Sequence, residues 1–234
     1  MSTPGDVRRS QNWSGRPGAT LEIARYVPPP VKEMMDCLAA LEKYLHEDSD
    51  LPALIRIGLI HYQFEAIHPF LDGNGRIGRL IITLLLSTWQ ILTQPLLYLS
   101  IFIEKNKTEY YDRLLAVSLE GQWEEWLLFF LEGVHEQAED AVVKISALQT
   151  VRGNYQQQFS NDRNREKLVA VVDYFISTPI SSISQAQEST NLGSYTMIQR
   201  YFYKLLHYGV IEEMTGGRRN RIYQAREILK ILEE

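Results

Sequence analysis

The feature that most constrains the fold is a polar loop inserted between two apolar segments. The first segment, LIRIGLIHYQFEAI, stops at His68-Pro69, and the apolar run LIITLLL begins at Leu80. Between them, residues 72–76 read DGNGR and combine a carboxylate, an amide, two glycines and a guanidinium. Because glycine and proline interrupt regular structure, this pattern predicts two buried helices joined by a loop that carries the chemistry.

The composition of the loop favours an anion, and phosphate in particular. The first N–H groups of a helix have no partner within the helix, and they carry the positive end of its dipole. Gly73 and Gly75 allow positive φ and a close approach of the backbone to a ligand. Arg76 and Arg79 share one helix face and can both bind phosphate oxygens. The loop is therefore predicted to bind a phosphate group.

A carboxylate at this position, Asp72, indicates a cation, because it would otherwise repel the phosphate. Mg²⁺ is usually held by one or two carboxylates together with substrate phosphates. His68 lies four residues before Asp72, and histidine is the side chain best suited to take a proton near neutral pH. His61 is expected to be packed, because no further metal ligands lie near it in the sequence. The loop is therefore interpreted as a site for a nucleotide, Mg²⁺ and a general base.

Residues 68–79, HPFLDGNGRIGR, resemble the signature of the Fic family, His-x-Phe-x-Asp/Glu-Gly-Asn-Gly-Arg-x-x-Arg, at every defining position. The resemblance implies a mainly α-helical bundle and a nucleotidyltransferase that moves AMP from ATP to a Tyr, Thr or Ser hydroxyl of a protein target. It implies His68 as the base, Asp72 as the Mg²⁺ ligand and Phe70 packed beneath the loop. The implied phosphate-binding residues are Gly73, Asn74, Gly75, Arg76 and Arg79.

Two alternatives remain open. AMP transfer requires attack at the α-phosphate, the sequence does not fix the orientation of the nucleotide, and relatives of this fold transfer other phosphate-containing groups. The second alternative is a DNA-binding transcriptional regulator whose Fic-like domain senses nucleotide or binds a partner protein. His68 favours an enzyme, because a nucleotide sensor does not require a general base.

The composition is that of an ordinary globular protein, with 45% hydrophobic and 23% charged residues. The single Cys37 excludes an intrachain disulfide and, with no signal segment at the start of the chain, indicates the cytoplasm. The run LIITLLLSTWQIL is short for a membrane span, so we expect a buried helix and no membrane contact. The net charge of −5 argues against non-specific nucleic-acid binding by the whole protein.

Residues 1–30 are expected to form a flap. The stretch TLEIARYVPPP alternates like a strand before the prolines stop it, which predicts a short N-terminal β-hairpin. In Fic proteins a similar segment forms a flap on which the backbone of the target lies as an added strand. That resemblance would place the protein substrate between Ala24 and Pro29. A plain N-terminal arm is the alternative.

Residues 31–150 are predicted to form the helical catalytic domain. Apolar residues recur at helical spacing over residues 31–46, and a long amphipathic helix is predicted from Trp123. Tyr110 and Tyr111 are adjacent and point in different directions from a helix, so one is expected to pack and one to face a cleft. Fic proteins have a similar pair beside the adenine and ribose, which adds both tyrosines to the nucleotide-binding set. Simple core packing is the alternative.

A second, smaller domain is predicted over residues 166–234, after a polar linker at 151–165 that lacks an apolar period. Its sequence indicates three helices followed by two strands around a Gly-Gly turn. This order resembles a winged helix-turn-helix domain. The side chains placed to contact DNA would be Tyr195, Thr196, Gln199, Arg200, Arg218, Arg219 and Arg221.

DNA contact by this domain is one of two interpretations. Winged helices also serve as protein-docking modules or spacers. Glu212 and Glu213 lie close to the arginines of the predicted wing, and the net charge of the chain is negative. Both interpretations stay open on the sequence.

Many Fic proteins carry an inhibitory helix with the pattern Ser/Thr-x-x-x-Glu-Gly/Asn, whose glutamate pairs with the second arginine of the motif, here Arg79. The present sequence lacks this pattern, because SLEG at Ser118 to Gly121 has the wrong spacing. We therefore expect an enzyme that has no inhibitory helix of its own in this sequence and that is inhibited by a partner protein or by a segment upstream of Met1. The sequence leaves the oligomeric state open, a homodimer included.

Overall fold

The computed structural model describes residues 5–15, 18, 20–92, 97–217 and 220–233, which divide into two compact units, Met1–Glu139 and Asp140–Glu234. The described chain is mainly helical, as the sequence predicts. The first unit contains α1 (Val31–His46), α2 (Ala53–Ile67), α3 (Asn74–Thr88), α4 (Leu99–Lys105), α5 (Lys107–Glu120) and the first part of α6 (Trp123–Gln158). The second unit contains the rest of α6, followed by α7 (Arg165–Ser177), β1 (Ile180–Ser182), α8 (Ile183–Ser189), α9 (Tyr195–His207), β2 (Glu212–Glu213), β3 (Ile222–Gln224) and α10 (Arg226–Glu233).

The core of the first unit forms around α2, which is apolar along most of its length. Ile57, Ile60 and Ile67 of this helix are at most 1% exposed, and α1 and α3 pack against it. The Trp126 indole N–H donates to the Gly58 carbonyl at 3.1 Å and ties α6 to α2. A helix buried on several sides explains why α2 shows little amphipathic pattern in the sequence.

The apolar run that follows Arg79 folds as a core helix. Ile82, Leu85 and Leu86 of α3 are buried in the first unit. None of the helices in the described ranges combines the length and the apolar character needed to cross a lipid bilayer.

The N-terminal segment differs from the predicted hairpin. In the described ranges, its strand pairing consists of one antiparallel bridge between Ser14 and Tyr26, and Leu21–Ile23 form a 3₁₀ turn. Three consecutive prolines from Pro28 onward lack the N–H groups that a longer ladder would need. The segment is therefore a looped arm with a single bridge.

The second unit packs its helices around a three-stranded antiparallel sheet of order β1-β3-β2. The three helices and two strands predicted after residue 166 are present, but the first residues of the predicted middle helix form β1 instead. Ser182 accepts a hydrogen bond from the Gln185 N–H in a capping box, so α8 starts only after it. Ser181 lies opposite Tyr223 of β3, and both are at most 1% exposed.

The predicted linker at 151–165 is helical as far as Gln158. Val151, Tyr155 and Phe159 recur every four residues and are buried in the core of the second unit. Glycine, asparagine and glutamines lie between them, and a stripe of one apolar residue per turn is too narrow to stand out from that polar background.

Two glycines of α6 provide a matched test of packing. A methyl group at Gly133 would lie 2.5 Å from the Phe102 ring, whereas a methyl group at Gly153 would meet nothing within 4 Å. We predict that Gly133→Ala destabilises the first unit by about 1–3 kcal/mol through overpacking. Gly153→Ala should stabilise the second by about 0.5–1 kcal/mol through helix propensity. Urea denaturation followed by circular dichroism measures both effects, and equal effects would contradict the packing of α4 on α6.

Candidate active site

The loop between α2 and α3 is built on two residues with positive φ. His68 ends α2 in the left-handed region, at φ 49° and ψ 59°, and Gly73 precedes α3 at φ 87°. The left-handed conformation costs a non-glycine residue on the order of 1–2 kcal/mol, so surrounding contacts must hold His68 in place.

One of those contacts is made by the side chain of Asn74, which closes the loop from inside. The Phe70 N–H donates to Asn74 Oδ1, and Asn74 Nδ2 donates to the Phe70 carbonyl, both at 2.8 Å. Asn74 is 2% exposed. Both polar atoms of this amide bond inside the loop and fix it, and Asn74 also lines the cleft, so its part in phosphate binding stays a prediction.

The N-terminal arm fastens the loop from outside. The Arg8 guanidinium donates from Nε to the His68 carbonyl at 3.0 Å, and its backbone N–H donates to the Pro69 carbonyl at 2.8 Å. Asn12 donates to the Phe70 carbonyl at 3.0 Å. Arg8 is 1% exposed, so it is a buried structural cation and not a surface charge. The residues that support the candidate base thus come from about sixty positions away in the chain.

The ring of His68 has a defined tautomer. His68 Nδ1 lies 3.3 Å from the Glu65 carbonyl, and because a carbonyl only accepts, Nδ1 carries the proton. Burial lowers the pKa of His68, against the opposing effect of that hydrogen bond, so the ring is neutral at pH 7. Nε2 is therefore unprotonated and able to accept a proton.

His68 lies on the wall of a cleft of about 270 Å³ at the start of α3. The cleft brings together most of the residues predicted from the loop, and it is lined by His68, Leu71, Asp72, Gly73, Asn74, Gly75, Arg76, Arg79, Ile103, Glu104, Lys107 and Tyr111. The first hydrogen bond of α3 runs from the Ile77 N–H to the Gly73 carbonyl at 3.0 Å. The N–H groups of Gly75 and Arg76 lie before that bond and remain available to an anion.

The two motif arginines differ in their surroundings. Arg76 lies 3.2 Å from Asp72, but the two side chains are 74% and 91% exposed, so the pair contributes little stability and can open for a ligand. The Arg79 guanidinium makes no hydrogen bond or ion pair with another residue of the described ranges. Lys107 faces the cleft from α5 and pairs with Glu104 at 2.9 Å. Arg79 is thus the cation best placed to bind a phosphate.

Asp72 is suited to bind Mg²⁺ only together with phosphate oxygens. Its carboxylate is exposed at the edge of the cleft, and one oxygen accepts from the Gly73 N–H at 2.7 Å. Within the described ranges, no group of three or more His, Cys, Asp or Glu side chains could hold a metal. A single exposed carboxylate beside an anion site matches the usual coordination of Mg²⁺ by protein and substrate together.

Tyr110 and Tyr111 point in different directions, and only Tyr111 lines the cleft. Tyr110 is 2% exposed, and its hydroxyl donates to His61 Nε2 at 2.9 Å. His61 Nδ1 donates in turn to the Gly78 carbonyl at 3.2 Å, and burial lowers the pKa of His61 to about 4. Tyr110 and His61 therefore form a neutral buried support under α3. The prediction of a nucleotide contact fits the position of Tyr111 but not that of Tyr110.

A second, smaller pocket of about 70 Å³ shares two walls with the cleft, His68 and Tyr111. Its other lining residues are mostly apolar or aromatic: Ser14, Arg25, Tyr26, Tyr62, Glu65, Ala66, Leu114, Leu115 and Ser118. The Tyr26 hydroxyl donates to the Ala66 carbonyl at 2.7 Å, which joins the N-terminal arm to α2 at this pocket. His68 thus stands where a polar cleft meets an apolar pocket.

The remaining predicted residue, Phe70, lies beneath the loop, where its ring is 6.4 Å from that of Phe64. Sequence reasoning missed Arg8, Asn12 and Glu65. No local pattern could have found the first two, because their partners lie far along the chain. A polar residue within the apolar face before His68 was the available signal for Glu65.

Replacement of Asn74 tests the closure of the loop. Asn74→Ala removes both hydrogen bonds to Phe70 and should destabilise the first unit by about 1–3 kcal/mol. Leu71→Ala, at a side chain that is 49% exposed on the same loop, is the control and should change stability by less than about 0.5 kcal/mol. Urea denaturation followed by tryptophan fluorescence is selective, because all four tryptophans lie in the first unit. Equal stability of the two variants would contradict the bracing role of Asn74.

Known proteins are similar to this chain in sequence over part of its length, and one solved structure is similar in fold. A probable protein adenylyltransferase of Aquifex aeolicus (strain VF5) is 32% identical over 63 residues, which are 27% of this chain and 20% of that protein. The protein adenylyltransferase Fic of Drosophila yakuba is 28% identical over 130 residues, or 55% of this chain and 23% of that protein. The chain thus spans less than a quarter of the length of these relatives.

The crystal structure of a Fic family protein from Desulfovibrio desulfuricans G20 superimposes with a TM-score of 0.55 and 20% sequence identity, over 96% of this chain and 63% of that chain. At this identity the likeness concerns the fold. The sequence of residues 2–86 matches the Fic/DOC family, and this range includes the whole loop and all but the last two residues of α3. The chain therefore contains a Fic/DOC family domain.

Proposed function

We propose that the protein transfers AMP from ATP to a hydroxyl group of a protein target. The observation that carries the proposal is the position of His68, whose neutral ring has an unprotonated Nε2 at the junction of the anion cleft and the apolar pocket. The names of the relatives, protein adenylyltransferases, support the same activity.

In the proposed reaction, the target hydroxyl oxygen forms a bond to the α-phosphorus of ATP while the bond from that phosphorus to the bridging oxygen breaks. Pyrophosphate leaves, and the hydroxyl proton passes to His68 Nε2. Transfer of phosphoryl-type groups depends mainly on positioning and charge stabilisation. The cleft supplies both through the N–H groups of Gly75 and Arg76 and the guanidinium of Arg79.

Asp72 is the residue that would hold Mg²⁺, together with the phosphates. When bound, Mg²⁺ neutralises negative charge on the phosphate oxygens. The exposed pair of Asp72 with Arg76 can open at little cost, which frees the carboxylate for the cation and the guanidinium for a phosphate. Both side chains thus change partners when the nucleotide binds.

The Tyr111 side of the apolar pocket is the proposed contact for the adenosine, since the pocket itself, at about 70 Å³, is too small to enclose a nucleoside. The Tyr111 ring is 43% exposed and forms one wall, and Leu114 and Leu115 supply apolar surface. An aromatic ring can stack on a purine, and the shared wall at His68 and Tyr111 lets one ligand reach from this pocket into the cleft. This arrangement favours AMP transfer over other phosphate chemistry, because it places the nucleoside next to the base.

The target is proposed to dock on the N-terminal arm between Ala24 and Pro29. Ile23 and Val27 are 71% and 46% exposed, and the single bridge at Tyr26 leaves backbone groups of the arm for an added strand. Arg8 connects this arm to the loop that carries His68. A bound segment would therefore present its hydroxyl side chain close to the base.

Replacement of His68 tests the assignment of the base. His68→Ala should lower transfer by at least about 100-fold, because general bases contribute on that order or more, while ATP binding is retained. The measurement is transfer of label to protein bands of a cell lysate from ATP labelled at the α-phosphate, with Mg²⁺. ATP labelled at the γ-phosphate should give no bands beyond those that the lysate shows without the added protein.

His135→Ala is the control, because this histidine lies in the same unit with its side chain 72% exposed. It should transfer label like the unsubstituted protein. Normal transfer by His68→Ala would refute the role of this histidine. Label from the γ-phosphate alone would replace AMP transfer with phosphorylation.

The second unit is proposed to contact DNA as a winged-helix module. A groove of about 620 Å³ runs between α8, the start of α9 and the hairpin of β2 and β3. Residues 140–234 contain twelve Lys and Arg against ten Asp and Glu, whereas residues 1–139 contain twelve against nineteen. The acidity of the chain is therefore concentrated in the first unit, which removes one objection to DNA contact.

The groove is lined by side chains that can bond to base edges, among them Gln185, Tyr195, Gln199, Asn220 and Arg221. Two further predicted contacts, Thr196 and Arg200, are exposed on α9 outside this lining. Arg218 and Arg219 lie outside the described residues.

Some side chains of the groove lining are already engaged within the protein. Arg221 lies 3.4 Å from Glu213 and donates to the Gly217 carbonyl at 2.9 Å. Gln185 of α8 accepts from the Ser182 N–H at 2.9 Å in the capping box of that helix. Tyr195 and Gln199 of α9 are therefore the better candidates for base contacts.

The double substitution Tyr195→Ala with Gln199→Ala tests this interface in the full chain. Gel-shift titration of a pool of random 20-base-pair duplexes should show at least about tenfold weaker binding, as expected from loss of one good base contact. Gln187→Ala, at an exposed glutamine of α8 outside the groove, should bind like the unsubstituted protein. Absence of any duplex binding by the unsubstituted chain would leave the second unit as a protein-docking module or spacer.

A further inference from the structure

Beneath the anion cleft lies a buried carboxyl group that the proposed reaction does not use. Glu65 of α2 is 8% exposed, and its Oε1 is enclosed without a hydrogen-bond partner among the described residues. A buried acceptor without a partner costs stability, so an unpaired carboxyl at the wall of a site calls for a functional explanation.

The carboxyl lies against the same face of α3 as the free arginine of the motif. A methyl group at Gly78 would lie 2.3 Å from Glu65 Oε1, so any larger residue here would displace the carboxyl from this position. A methyl group at Gly75 would lie 3.9 Å from the same oxygen and 3.2 Å from Arg79 Nη1. Glu65 and Arg79 therefore approach one point on α3, yet they form no ion pair within 4.0 Å.

Arg79 is the charge closest to Glu65, and the other titratable groups around Glu65 are neutral or paired. These groups are His61 and Tyr62 of α2, His68 at the C-terminal end of that helix, Tyr110 and Tyr111 of α5, and Arg25 and Tyr26 of the N-terminal arm. Burial lowers the pKa of both histidines, and it raises the pKa of Tyr26 to about 12 and that of Tyr110. Arg25 pairs with Asp112.

We propose that Glu65 is a positioning residue for Arg79, and that the cleft binds the polyphosphate of a nucleotide in the form in which Glu65 carries a proton. An ionised Glu65 would compete with the phosphate for the Arg79 guanidinium and would repel the incoming anion across α3. A protonated Glu65 leaves the guanidinium to the ligand. Binding then takes up one proton from solvent, and no covalent step is involved.

The protonation equilibrium of Glu65 falls in the range where this coupling is visible. Burial raises the pKa of Glu65 to about 7, with the positive charge of Arg79 acting in the opposite direction. An anion bound at Arg79 offsets that positive charge and should raise the pKa of Glu65 further. By linkage, nucleotide affinity must fall as the pH rises through this range.

This inference rests on nucleotide binding by the cleft, and it is tested with the full chain and an ATP analogue that has a methylene between the α- and β-phosphates. Titration calorimetry gives the dissociation constant at pH 6, 7 and 8. From pH 6 to pH 8 the unsubstituted protein should lose affinity on the order of tenfold relative to Glu65→Gln, which corresponds to one pKa unit of coupling. At pH 6 the two proteins should bind alike.

Glu104→Gln is the matched control for removal of a carboxylate at the cleft. Its hydrogen bond with Lys107 lowers the pKa of Glu104, so this group stays ionised from pH 6 to pH 8. The control should keep the pH dependence of the unsubstituted protein. Ionisation of the analogue itself is common to all three proteins and cancels in the comparison.

An identical pH dependence in Glu65→Gln and the unsubstituted protein would overturn the proposal. If Glu65→Gln does not fold, carbon NMR of isotope-labelled glutamate in the unsubstituted protein decides. The pKa of Glu65 must rise when the analogue binds, and an unchanged pKa refutes the coupling.

The inference about Glu65 and the proposal of AMP transfer can fail independently of each other. Label transfer without pH-linked binding removes only the role of Glu65, and pH-linked binding without transfer removes only the reaction.

Discussion

The closed loop between α2 and α3 is the constraint on which the rest of the site depends. It holds His68 in a left-handed conformation that no local preference favours, and it starts α3 immediately afterwards. Asn74 braces the loop from within, and Arg8 pins it from the N-terminal arm. Contacts from Asn74 and from the N-terminal arm thus together hold the unfavourable backbone conformation of His68. The same geometry turns the ring of His68 toward the cleft and exposes the first N–H groups of α3.

A layer of neutral polar groups beneath the loop keeps the site positive. Tyr110 bonds to His61, and His61 bonds to the backbone of α3, so neither adds charge under the anion cleft. Arg79 is left as the free cation among the described side chains of the loop, and Glu65 is the one buried group there whose ionisation would oppose it. The electrostatics of the cleft therefore rest on the residues below it as much as on those that line it.

Sequence reasoning reached the loop and most of the helices because both depend on short-range patterns. Residues 31–46 form α1 as predicted, and the run after Arg79 forms a buried helix. Sequence reasoning failed where the structure depends on contacts between residues far apart in the chain. The interior position of Arg8 depends on carbonyls about sixty residues away, and the sequence does not show that the Asn74 side chain closes the loop. The helical stretch from Val151 to Gln158 has only one apolar residue per turn. Its many polar side chains made the sequence look like a linker, although the stretch packs into the core of the second unit.

The central claim is that His68 is neutral and carries its proton on Nδ1, with Nε2 bare. Nitrogen NMR of the histidine rings in the full chain at pH 7, with the His68 signals identified by their loss in a His68 variant, measures both properties directly. The account predicts a protonated Nδ1, an unprotonated Nε2 and a pKa below the ordinary value of about 6.5. A protonated Nε2 or an imidazolium ring at pH 7 would contradict it.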